Sequence, residues 1–335
     1  MYRLKMGSSQ SSKKKQNIVW GPTSFNLYEN TKNNKKIIFI GDKHSIPTEK
    51  LGISLNELLA SINVQKGIGF ITEGCDDSKC LIDDVIDNCM KRAQTCNVIQ
   101  NKFTTLWGDY REKLDTYDLL VSSKILNIYL KKFMNQWNST NQTDTQIIEN
   151  MKKLIIDNVR KLGSGWGKVF SWDGKNVVKN TMDKYPQFNE LLNKLSNSDK
   201  ENIFRYINQQ IYKGKYEQEY EQEYDKYRNI MTDTIKKIFV SFTAGKPINS
   251  SDYRFFIEIT QFFSKTFHDI NDTIFEAYMI MLVLGTNFNR YIIHAGASHI
   301  DYLENWFKSN LEYNEYFQAK RINDQTVDIN GLVFL

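Results

Sequence analysis

The sequence predicts an α/β fold: a central, mostly parallel sheet built from both ends of the chain, with a large helical insert between them. Three observations predict it. From about residue 17 to 111, short apolar runs alternate with helical stretches, the pattern of βαβ units. From Thr116 to Leu284 the chain reads as nearly all helical. At Tyr291 the strand-then-helix pattern resumes. The implied organisation is a polar tail over 1–16 and a single α/β domain over 17–335, with the insert at about 116–285.

Taken in order, the tail is Ser/Lys-rich and lacks any apolar pattern, so it is read as disordered. Ile37–Ile40, Ile68–Thr72 and Thr104–Trp107 are short apolar runs of buried-strand type. Ser54–Val64 and Lys79–Ala93 are the intervening helices. The first opens on Ser54-Leu55-Asn56-Glu57, a capping box. In the insert, Asn135–Thr145 reads as a polar loop and Gly163–Gly174 as a Gly/Trp loop. Ser198-Asp199-Lys200-Glu201 opens a further capped helix, and Tyr216–Tyr227 repeats Glu-Gln-Glu-Tyr. Ala277–Leu284 is apolar on all sides and reads as a core helix. Tyr291–Ala295 is the distal strand and Ile300–Lys308 the last helix, followed by short apolar runs near Phe317 and Val333.

The chain has 335 residues, of which 41% are hydrophobic and 13% aromatic, enough for a sizeable core. A net charge of +5 is a weak excess at this size and does not point to specific nucleic-acid binding. No apolar run reaches the ~18 residues a membrane span needs, and the start lacks a secretory h-region. The expected location is cytoplasmic or virion-associated. Abundant Lys, Asn and Ile with only four Pro suggests an AT-rich coding genome, as in many large DNA viruses or parasites.

The chemistry-bearing residues gather after the apolar runs. The first strand is followed by Gly41-Asp42-Lys43-His44 and the distal one by Gly296-Ala297-Ser298-His299. Both are Gly-x-x-His, and together they use two of the chain's four histidines. Ile68–Thr72 is followed by Glu73, and Thr104–Trp107 by Asp109 and Arg111. In open α/β sheets, ligands bind outside the carboxyl ends of the strands, so these residues can converge on one site. His44, Glu73 and His299 form a plausible metal set of two imidazoles and a carboxylate. A divalent metal there, manganese, zinc or cobalt, would lower the pKa of bound water and polarise a carbonyl or phosphoryl oxygen. Arg111 is placed to hold an anionic substrate or stabilise developing negative charge. Asp42, Asp109 and His294 are supporting residues; His294 lies within the strand, and His268, on a helix, is read as structural. Ser298-x-x-Asp301 fits a helix cap, which puts His299 in the first turn, where the helix dipole favours neutral imidazole. Taken singly, each residue is better read as a hydrogen-bonding or capping group. Taken together, successive strand ends that all deliver ionisable groups favour a functional site.

This order, Gly41-x-x-His44, then Glu73, then an Arg, then Gly296-x-x-His299, resembles the Tiki/TraB/erythromycin-esterase-like superfamily. The likeness covers about a third of the chain. It implies a metal-dependent or His/Glu-dependent hydrolase of amide or ester bonds, acting on a small-molecule or peptide substrate. Members of that superfamily carry an Arg-containing helix shortly before the second Gly-x-x-His. Here Asn271–Met279 has no Arg, and Arg111, or less favourably Arg254, is the candidate for that charge. Two alternatives stay open. Gly41-Asp42-x-His44 also resembles the first motif of calcineurin-like metallophosphoesterases, with Gly108-Asp109 a partial second motif but no Asn-His pair anywhere. The other is a non-catalytic virion or host-interaction protein that keeps the fold.

The remaining motifs are weaker. Gly163–Lys168 fails the phosphate-loop spacing, because Leu162 stands where the first Gly belongs and Val169 follows the Lys. Cys75, Cys80, Cys89 and Cys96 contain no Cys-x-x-Cys pair, which argues against a structural zinc site; they read as reduced packing thiols in an intracellular chain, or as one or two disulfides in an oxidising setting. The sequons at Asn138, Asn141, Asn249 and Asn271 are expected by chance in so Asn-rich a chain. Met6-Gly7-Ser8-Ser9-Gln10-Ser11 fits the N-myristoylation pattern and Lys13–Lys15 supplies a basic second signal for peripheral membrane contact. Gly7 qualifies only if translation or processing exposes it, so a solvated basic tail is the favoured reading.

Overall fold

The computed structural model describes residues 17–43, 50–62, 67–73, 101–107, 114–139, 183–213 and 250–332, with 99, 111, 153–154, 157–158, 161 and 181. His44, Asp109, the four cysteines, the Gly7 tail, Lys79–Ala93, Gly163–Gly174, Tyr216–Tyr227 and Val333 lie outside the described residues.

The elements, in chain order, are β1 (Ile18–Trp20), β2 (Pro22–Asn30), β3 (Lys35–Asp42), β4 (Ile53–Ser54), α1 (Leu55–Ser61), β5 (Ile68–Thr72) and β6 (Thr104–Trp107). The helices α2 (Asp115–Ser139), α3 (Pro186–Lys194), α4 (Asn197–Lys213) and α5 (Ser250–Gly285) follow. Last come β7 (Arg290–Gly296), α6 (Ala297–Leu311), β8 (Asn314–Gln318), β9 (Lys320–Asn323) and β10 (Thr326–Asp328). The chain divides into two compact units, one made of 1–109 with 278–335 and the other of 110–277.

The first unit holds both sheets. The larger has six strands in the order β6-β5-β7-β3-β2-β8. Its β6, β5, β7 and β3 are mutually parallel, whereas β2 and β8 add antiparallel. The expected mostly parallel sheet is thus found in part: the pairings β6–β5, β5–β7 and β7–β3 are parallel, and the sheet as a whole is mixed. The reason is local: residues 31–34 join β2 to β3, and only antiparallel strands can be joined by so short a turn. The side chain of Asn30 caps that turn by accepting from the N–H groups of Lys32 and Asn33, and Asn34 takes a φ of 54°. A four-stranded sheet, β4-β1-β10-β9, lies beside it in the same unit.

The parallel core is apolar on both faces because both faces are covered. Ile37, Ile38, Phe39 and Ile40 are all buried, as are Phe70, Ile71, Tyr291, Ile292 and Ile293. Phe39 meets Phe307 of α6 and Tyr28 of β2 at ring-centroid distances of 5.9 and 5.4 Å. On the other face Ile38, Ile40, Phe70 and Ile292 share a core with Val19, Leu55, Leu58, Leu59 and Val327. The capping box at Ser54 forms as the sequence predicts, with Glu57 N–H donating to Ser54 Oγ and Ser54 N–H to the Glu57 carboxylate.

The second unit is helical in its described part. Thr116 Oγ1 of α2 donates to Asn271 Oδ1 of α5 at 2.6 Å, and the Tyr206 hydroxyl of α4 donates to the buried Glu276 carboxylate. α2 continues through Ser139, so Asn135–Ser139, expected as the start of a polar loop, are helical. The cap of α4 is Ser196, whose Oγ accepts from Asp199 N–H, and not Ser198. No described helix is long and apolar enough to cross a membrane.

Candidate functional site

The carboxyl ends of β3, β7 and β5 are in step. Ile40 pairs with His294 and Asp42 with Gly296, while Thr72 pairs with His294 from the other side. Side chains two residues apart on a strand share a face, and directly paired residues of neighbouring strands share it too. Asp42 and His294 are therefore on one face, and His294 Nε2 is 3.1 Å from Asp42 Oδ2. With the carboxylate ionised and acceptor-only, Nε2–H of the imidazole donates to it.

Glu73 stands one residue beyond β5, and its own N–H donates to His294 O at 3.0 Å. That bond fixes the backbone and turns the carboxylate toward β7. Its Oε2 accepts the Gly296 N–H at 2.8 Å, and its Oε1 is 3.9 Å from His299 Nε2. Gly296 is the N-cap of α6, so Glu73, from a remote strand, occupies the amide end of the helix. This corrects the expected Ser298 cap: α6 starts at Ala297, and no side chain of its own caps it. His299 still falls in the first turn, buried beside Glu73, with side-chain exposures of 8% and 12%.

Gly41, the first residue of the first motif, has a steric reason. A Cβ there would lie 2.5 Å from Ser24 Oγ and 3.2 Å from the Ala297 backbone. A Cβ here would have to displace the Ser24 hydroxyl and crowd the start of α6. Thr23 Oγ1 reinforces the contact by donating to Gly41 O.

Two acid–imidazole pairs thus stand at the strand ends: Glu73 with His299, and Asp42 with His294. Such a pair can hold an imidazole in one orientation, stabilise its protonated form and pass a proton to or from a bound molecule. A metal with ligand distances of about 2.1 Å sets its ligands about 3.4 Å apart in tetrahedral geometry. The 3.9 Å between Glu73 Oε1 and His299 Nε2 is within a small adjustment of that. Among the described residues, no group of three or more His, Cys, Asp or Glu gathers closely enough to hold a metal. The expected third ligand, His44, lies outside the described residues.

Arg111 belongs to the second unit. Its Nη1 donates to Asp272 Oδ1 at 2.8 Å, and its guanidinium lies 4.4 Å from the centre of the Phe275 ring. It therefore sits on the Asn271–Met279 segment of α5 that lacks an arginine of its own. Asp272 also contacts His268, Nδ1 to Oδ2 at 2.6 Å, a pairing that sequence reasoning missed although the i, i+4 spacing was its signal. Asn271 is buried and bonded to Thr116, so it is not a glycan acceptor in the folded chain.

Comparison with family models, with curated proteins and with solved structures finds no match to this chain.

Proposed function

We propose that the chain is a hydrolase of amide or ester bonds whose centre lies at the carboxyl ends of β3, β5 and β7. One observation carries the reading: Glu73, at the end of β5, stands at the amide end of α6 beside His299, and Asp42 and His294 pair at the ends of β3 and β7. In this reading Glu73, tied by one oxygen to the Gly296 N–H, orients His299. His299 takes the proton of an attacking water. His294, held by Asp42, gives a proton to the leaving group. His44, Glu73 and His299 would hold a divalent metal, which when bound supplies a more acidic water and polarises the scissile carbonyl. The likeness to the Tiki/TraB/erythromycin-esterase-like superfamily supports the same reaction class from the motifs alone.

The test is hydrolysis of a panel of short peptides, amides and esters, with and without manganese, zinc or cobalt. Turnover that H299Q and H294Q both lower, with folding retained, supports the reading; turnover unaffected by either sinks it. A second reading has its own observation. Glu73 and His299 are almost wholly enclosed, as expected of a buried polar clamp that fastens α6 to the sheet. A protein that keeps the fold without catalysis would then lose stability, and no turnover, on the same substitutions.

A further inference from the structure

Ser264, His268 and Asp272 stand at i, i+4 and i+8 on α5, all within the helical unit and all on one face. The carboxylate of Asp272 divides its oxygens, Oδ2 to His268 Nδ1 at 2.6 Å and Oδ1 to Arg111 Nη1 at 2.8 Å. Arg111 is itself fixed over Phe275. The imidazole is thus held from behind at Nδ1, leaving its other nitrogen directed away from Asp272. In an α-helix every Cα–Cβ bond tilts toward the N-terminus, so a side chain covers the residue four before it. Asp272 leans this way onto His268, and Ser264 stands one turn before His268 on the same face.

An open pocket of about 330 Å³ lies on this face, lined by Asn127, Gln261, Ser264, Lys265, His268 and Asp269. The Asp269 carboxylate disfavours an anionic occupant, and the Lys265 ammonium and Gln261 amide are donors for a developing oxyanion.

We propose that this pocket is a second, nucleophilic site, in which Ser264 is acylated by a small ester without an anionic group. Ser264 Oγ attacks the carbonyl carbon as its proton passes to His268 Nε2. The bond to the alcohol oxygen then breaks, and the alcohol leaves with that proton. Water attacks the acyl-serine and gives a proton to His268. His268 returns it to Ser264 Oγ as the carboxylic acid departs. Asp272 is a positioning residue, fixing the tautomer with Nδ1–H toward itself.

The experiment is phosphonylation of the full chain by a small alkyl fluorophosphonate, read by mass on the tryptic peptide 255–265. The expected result is an adduct on Ser264 that S264A abolishes. H268Q should slow its formation at least about 100-fold and D272N more modestly, with melting temperatures unchanged. E73Q and H299Q should label at the wild-type rate, so failure of the strand-end centre and failure of this pocket are read separately. Folded wild type that gives no Ser264 adduct, or an adduct rate that H268Q leaves unchanged, overturns the proposal.

Discussion

Glu304 of α6 should make this protein less stable as pH rises through neutrality, and replacing it with glutamine should remove the effect. Its carboxylate accepts from Asn26 Nδ2 at 2.8 Å and contacts the Tyr28 hydroxyl at 3.3 Å; that hydroxyl also lies 3.2 Å from Glu315. One hydroxyl has one proton, and two ionised carboxylates are acceptors only, so the cluster is best satisfied when one acid is protonated. Burial, more than the nearby Asp301 and Glu315, pushes Glu304 from an ordinary value near 4.5 up to about 7, although its bonds to Asn26 and Tyr28 act the other way. Between those values the folded chain binds more protons than the unfolded one, so stability is fully present below 4.5 and lost as pH climbs through about 7. At 1.36 kcal/mol per pH unit, the loss has a ceiling of about 3 kcal/mol. The side chain is only partly enclosed, and about 2 kcal/mol is the working figure after solvent screening. Glutamine in the same place still accepts from Asn26, and its NH₂ donates to Tyr28. Urea unfolding of wild type and E304Q at pH 4.5 and 8 should give similar midpoints at the lower pH and a more stable E304Q at the higher. Parallel pH dependence of the two proteins would refute the reasoning.

Other outcomes follow from particular contacts. G41A should cost about 1–3 kcal/mol, because its Cβ meets Ser24 and the Ala297 backbone; unchanged thermal unfolding would contradict the close approach of β3 to α6. S54A should cost about 1 kcal/mol by removing the acceptor for Glu57 N–H, read as a shift in urea midpoint. If a strand-end imidazole must accept a proton or bind metal, turnover should fall as pH drops through the histidine range near about 6.5, and a flat rate from pH 5 to 8 would exclude those roles. If the metal version of the site holds, elemental analysis should find manganese, zinc or cobalt with the wild type and little with H44A; equal metal in both would remove His44 as a ligand.

The strands that carry the candidate site were legible because parallel strands covered on both faces are continuous apolar runs, as in Ile37–Ile40 and Tyr291–Ile293. β2 was not, because Ser24, Asn26 and Glu29 interrupt it. Asn26 is buried only because Glu304, far away in sequence, meets it. The ionisable residues after the strands were equally plain, and the pairing of Asp42 with His294 followed from register, which no local pattern reveals. Helix caps show the same limit. Ser196 and Ser198 each precede an acid by three residues, and only the first caps. Ser298 has the right spacing, yet Glu73 from β5 already takes the Gly296 amide.

The most direct test of the strand-end centre is E73Q, with turnover and melting temperature measured on the same preparation. Glutamine keeps an oxygen for the Gly296 N–H and removes only the charge beside His299. The account predicts kcat/KM on the preferred ester or amide lowered at least about 100-fold with the melting temperature little changed. Undiminished turnover, or a fall in melting temperature that accounts for the whole loss, would contradict it.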